Sequence, residues 1–149
     1  MKKRLSLLGL ISFLFITFSF GQVESEAILG VWESGNGKAR IKVDKAGDKF
    51  NGRIVWLREP KDEAGNPKVD KNNPDESLRS KPLLGYSMLK NFSYKGDKTW
   101  EDGTIYDPES GSTYSCTITL TDENTLEVRG FIGVSLFGRG SLLRKSNWL

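Results

Sequence analysis

From residue 29 onward the chain is written in short runs of alternating apolar and polar residues, broken at close intervals by Gly, Asn, Asp and Pro. Period-two alternation gives a strand one buried face. Clusters of residues that accept positive φ, or that preset φ, reverse the chain between strands. The runs are Leu29–Ser34, Lys38–Asp44, Phe50–Leu57, Leu83–Phe92, Thr99–Tyr106, Ser112–Thr121, Thr125–Ile132 and Arg139–Lys145. Turns such as Gly35-Asn36-Gly37, Ala46-Gly47-Asp48 and Asp107-Pro108-Glu109-Ser110-Gly111 separate them. Helix-period stretches are absent after the first twenty residues or so. About eight antiparallel neighbours joined mostly by short turns close naturally into an up-and-down barrel, and closure removes the exposed edges that invite aggregation.

The first residues follow a different pattern. Met1-Lys2-Lys3-Arg4 precedes an apolar run from Leu5 to Phe20 without Asp or Glu, and Gly21-Gln22 follows. That is the build of a secretory signal peptide, with a core short for a bilayer span. The expected division is therefore a signal at 1–21 and a single barrel domain at 22–149, exported to the periplasm or beyond, with no membrane span in the mature chain. Lys2, Lys3 and Arg4 account for the whole excess of 22 Lys+Arg over 19 Asp+Glu. A neutral, mixed mature surface gives no electrostatic reason to expect nucleic acid as a partner.

The chain has no histidine, which removes His-based triads and the common zinc sites. Its single cysteine, Cys116, alternates with Ser115 and Thr117 and shares a face with Tyr114, Ile118 and Leu120, so a buried, inert thiol is expected. The segment Arg58–Ser77 is long and polar and holds Pro60, Pro67 and Pro74; loops of that length in compact domains tend to be functional or mobile. Asp75–Arg79 suits one helical turn. Asp62, Asp70, Asn72, Asp75 and Glu76 supply oxygen, but Pro74 and Asp75 stand where a helix-flanked calcium loop needs its glycine turn. Neither a metal nor a cofactor is therefore expected.

Gly30-Val31-Trp32 in the first run and Arg144 in the last resemble the latch of lipocalin-like barrels, where an Arg lies across a Trp ring at the closed end. A more specific resemblance covers nearly the whole barrel domain. Gly52-Arg53-Ile54-Val55-Trp56-Leu57, Asp70-Lys71-Asn72-Asn73-Pro74-Asp75, Leu78 to Gly85, Gly103 to Tyr114 and Leu126 to Phe131, in this order, are similar to the secreted bacterial family called domain of unknown function 2147. The resemblance implies a small exported lipocalin-like β-barrel and no particular activity. Gly138-Arg139 followed by Gly140-Ser141-Leu142-Leu143 departs from the aromatic ending usual in that family.

Candidate site residues come from the run Thr99–Tyr106. Strict alternation places Trp100, Asp102, Thr104 and Tyr106 on one face, a mixture of rings, carboxylate and hydroxyls that suits a polar or amphipathic small molecule. Arg129, on the less apolar face of its strand, is expected to pair with a carboxylate there or to meet an anionic ligand, and Arg79 to stand at the rim. Arg139 is a further cation of interest. The sequence thus points to a non-catalytic exported protein that binds a small ligand through Trp100, Asp102, Tyr106, Arg129 and Arg79. Two alternatives stand beside it. One is a filled barrel that contacts another envelope protein. The other is a hydrolase drawing two carboxylates from Glu33, Glu101 and Asp102, which nothing in the sequence pairs.

Overall fold

A computed structural model describes residues 24–129 and 142–147. The segments called signal peptide, the end of the seventh run and Arg139 lie outside the described residues. The strands are β1 (Gly30–Ser34), β2 (Ala39–Ala46), β3 (Lys49–Leu57), β4 (Ser87–Gly96), β5 (Thr99–Asp107), β6 (Ser112–Asp122), β7 (Thr125–Arg129) and β8 (Leu142–Lys145). Each pairs antiparallel with the next, and β1 pairs with β8 through Trp32↔Lys145, Glu33↔Arg144 and Ser34↔Leu143, so the sheet is a closed barrel. The expected eight-stranded antiparallel barrel is what the chain forms. The fourth strand starts at Ser87 rather than Leu83, because Leu83–Tyr86 forms a turn in which the Tyr86 N–H donates to the Leu83 carbonyl.

The inward residues form one cluster, with Trp32, Ile41, Ile54, Phe92, Trp100, Ile105, Ile118 and Leu126 removed from solvent. Each such aliphatic or aromatic side chain contributes roughly 1.5–3 kcal/mol by leaving water. Two strand glycines show how tightly this interior is filled. A methyl group at Gly103 would lie 2.4 Å from the Phe92 ring, and one at Gly52 would lie 2.7 Å from Leu89 Cδ1. Large side chains opposite bare backbone leave no room for a guest there. Cys116 is buried on this face, as its alternation predicts.

The two ends of the barrel differ. At one end the 3-10 turn η1 (Glu26–Ile28) lies across the opening. Trp32 Nε1 donates to the Ile28 carbonyl (2.8 Å) and Trp100 Nε1 to the Ser25 carbonyl (3.2 Å). Phe50 and Tyr94 flank the Trp100 ring, with centroids 6.3 and 5.2 Å away. Lys45 fastens the turn to β2 through Glu26 at 2.9 Å. The cation over Trp32 is Lys145, its Nζ 5.6 Å from the ring centroid. Here the expected latch needs correction. Arg144 stands opposite Glu33 on the outer wall, and the period of two hands the inward place to its neighbour Lys145.

At the other end, residues 58–86 form a strap rather than a free loop. Its short 3-10 turn η2 (Glu76–Leu78) falls within the predicted Asp75–Arg79 turn, with Asp75 accepting from the Ser77 N–H at its start. Bridges Lys61↔Pro67 and Val69↔Pro82 fold the strap on itself.

Candidate functional site

Asp102 determines where the expected ligand face goes. It has φ 63, a left-handed conformation that Asp adopts more readily than most residues. The β5–β6 register shifts between Trp100 and Gly103, which marks a bulge there. One extra residue reverses the phase of the rest of the strand. Trp100, Gly103 and Ile105 face the interior, opposite Ile118, Cys116 and Tyr114. Asp102 is exposed and ion-paired with Lys95, which holds its carboxyl below the usual range. Tyr106 sits on the outer wall opposite Thr113, buried because the strap covers it.

The predicted residues are therefore not brought together in one cavity. Trp100 is part of the closed-end packing. Asp102 and Arg129 share a shallow outer concavity with Ser115 and Thr117, and Arg129 is paired with Glu127 at 2.9 Å and largely exposed. Arg79 stays on the strap, where its Nε donates to the Asn73 carbonyl (2.8 Å) and its Nη1 contacts Glu76 (3.2 Å). Glu33 pairs with Arg40 at 2.9 Å and Asp102 with Lys95, so two of the three candidate hydrolytic carboxylates are held by neighbouring cations.

Tyr106 leads to a polar centre that alternation alone did not suggest. Its hydroxyl donates to Asp70 Oδ1 (2.7 Å), and Asn73 Nδ2 donates to Asp70 Oδ2 (2.6 Å) and to the Tyr86 hydroxyl oxygen (3.0 Å). The Tyr86 and Tyr106 rings lie 5.4 Å apart. Asp70 is completely buried and Asn73 nearly so. Burial first, and the Asp70 carboxylate second, raise the Tyr106 hydroxyl well above the usual tyrosine range; Tyr86 is raised for the same leading reason. These phenols remain protonated donors, so the group acts as a clamp for the strap. Asn72 adds a second clamp, its Nδ2 donating to the Glu109 carbonyl (2.8 Å) in the β5–β6 turn. Gly111 makes room for it: with φ +70, a methyl group there would lie 2.0 Å from the Asn72 carbonyl oxygen. The oxygen-rich loop residues thus spend their side chains on the chain itself, and among the described residues no cluster of His, Cys, Asp or Glu has the arrangement of a metal site.

Fastening the strap leaves a cleft of about 560 Å³ at the open end. Leu57 at the end of β3, Leu83, Val69 and Pro108 give it apolar walls, and Lys38, Arg58, Lys68 and Lys71 bring cations to it. Lys38 meets Glu109 (3.6 Å) and Lys68 meets Glu59 (3.2 Å). The size lies within the range of small-molecule sites. Sequence reasoning missed these residues because they come from five separate stretches of the chain. Val69 and Leu83, two of the aliphatic residues in the strap, were the available signal.

A closed eight-stranded barrel with a turn plugging one end and a cleft at the other defines a lipocalin-like protein. The chain belongs to the family described as "Uncharacterized protein conserved in bacteria (DUF2147)", whose profile matches residues 30–145. Among solved structures it is similar to protein HP1028 from the human pathogen Helicobacter pylori, described as belonging to the lipocalin family. The two are 18% identical, with 80% of this chain and 82% of that chain covered at a TM-score of 0.63. That likeness is one of fold. No curated protein matches the chain.

Proposed function

We propose that the protein is a non-catalytic, exported binder of a small amphipathic molecule, and that the ligand lies in the open-end cleft rather than inside the barrel. The observation that carries this reading is the cleft of about 560 Å³ with both apolar and charged walls, above an interior already filled by its own side chains. Export rests on the Lys2–Gln22 pattern. Release of a chain beginning near Gln22, read by N-terminal sequencing of envelope material, supports export; a chain still beginning at Met1 overturns it.

Methyl NMR tests the binding reading. Octanoate, octyl glucoside and octyltrimethylammonium are titrated in turn. At least one is expected to shift the Leu57, Val69 and Leu83 methyl signals while leaving Leu126 and Leu143, in the filled interior, unmoved. Silence from all three at millimolar concentration overturns the cleft as a ligand site. It would favour the reading that the filled barrel supports next, a module that contacts another envelope protein.

A further inference from the structure

The charge arrangement in the cleft is uneven. Of its four lining cations, Lys38 and Lys68 are matched by Glu109 and Glu59. Asp62, the remaining acid, turns Oδ1 into its own loop, accepting from the Ala64 and Asn66 N–H groups (3.0 and 2.8 Å). Arg58 and Lys71 join none of the ion pairs formed among the described residues.

Both of these cations stand on fixed backbone. The Arg58 N–H donates to the Lys38 carbonyl (2.9 Å), which extends the β2–β3 ladder by one bond. The Arg58 guanidinium rests against the Gly35–Gly37 turn, where a methyl group at Gly37 would lie 2.3 Å from Nη2. Lys71 is flanked by the two clamps of the strap: Asp70 in the tyrosine network before it, Asn72 on the β5–β6 turn after it. Its own N–H donates to the Val69 carbonyl (2.9 Å). A guanidinium and an ammonium from exposed residues that line one cleft beside apolar side chains, and that join no ion pair among the described residues, form a site for an anion with an apolar body.

We infer that the ligand class is an anionic amphiphile, a carboxylate or phosphate head on a short apolar chain, with the head on Arg58 and Lys71 and the chain along Leu57, Leu83 and Val69. This rests on the cleft being the ligand site. Hydrogen bonds to charged groups distinguish such a head from a neutral one by about tenfold or more.

Calorimetric titration with octanoate, octyl phosphate, octyl glucoside and octyltrimethylammonium tests the inference on the full chain. Octanoate or octyl phosphate is expected to bind at least about tenfold more tightly than the other two. That preference should fall as salt rises from 20 to 500 mM, because exposed charges are screened. R58Q and K71Q should each weaken the anions several-fold and leave octyl glucoside unchanged; unaltered circular dichroism shows that the fold persists. A preference for octyl phosphate over octanoate identifies the head as phosphate, and the reverse identifies it as carboxylate. Equal binding of octyl glucoside, or anion binding indifferent to both R58Q and K71Q, overturns the inference while leaving the cleft as a ligand site. Binding by none of the four overturns both.

Discussion

The closed end and the open end of this barrel are held by different physics. At the closed end, Trp32, Trp100 and Phe50 are packed out of solvent, and the indole N–H groups of the two tryptophans tie a short turn across the opening. At the open end the same task falls to polar groups: a buried carboxylate, two phenols and two asparagine amides hold a 29-residue strap, residues 58–86, to the rim. Apolar packing is non-directional and scales with area removed from water. A buried polar clamp stabilises only while every partner is in place, and losing one leaves the rest unsatisfied. The plugged end is accordingly built for stability, and the strapped end can be rebuilt without dissolving the core.

Substitutions at both ends put that contrast to the test. The largest effect is expected from W32A, a loss of about 3–5 kcal/mol in chemical denaturation, as for large core aromatics elsewhere. A loss below 1 kcal/mol would show that the plug is ornamental. D70A removes the acceptor shared by Tyr106 and Asn73 and should cost about 2–3 kcal/mol. Limited proteolysis should then cut within 58–82 before the barrel unfolds; simultaneous loss of both would mean that the strap and barrel are one cooperative unit. Next in size is an alkaline effect. Burial pushes the Cys116 thiol up to about 12, against an ordinary value near 8.5. The unfolded chain therefore releases its proton first, and stability should decline as pH rises from about 8.5 toward 12. Tyr86 and Tyr106, also raised, join this decline above about pH 10. C116A should flatten the lower part of the slope and Y106F the upper part. The smallest contrast separates neighbours in β8: K145Q should cost at most about 1 kcal/mol through its place over Trp32, and R144Q close to nothing.

Much of the barrel was readable from residue order because alternation and turn chemistry act locally. Gly35-Asn36-Gly37, Gly47-Asp48 and Asp107–Gly111 each mark a real reversal between paired strands. The ligand face was not readable, for a reason one residue long. Asp102 takes a left-handed backbone and shifts the phase, so Tyr106 leaves the face of Trp100 for the opposite one. Gly103, a glycine inside a strand, is the sign of such a bulge. The latch failed by the same kind of step: a cation was expected over Trp32, and its place belongs to residue 145 rather than 144. The strap was hardest to foresee. Its polar composition reads as solvated, and the burial of Asp70 and Asn73 depends on Tyr106 from β5 and on Tyr86 at the strap's own far end.

The seam between β1 and β8 has a consequence for the order in which the molecule can be made. Trp32 meets Lys145, so the two staves that complete the barrel are separated by nearly the whole length of the domain. Until β8 has emerged from the ribosome the first strand lacks the partner that closes the sheet, and a contact this distant in sequence forms slowly. A nascent chain of this kind stays open for as long as β8 is missing. For a polypeptide proposed to pass through a membrane before it works, that delay keeps it threadable: the stave that locks the cylinder is the last to arrive.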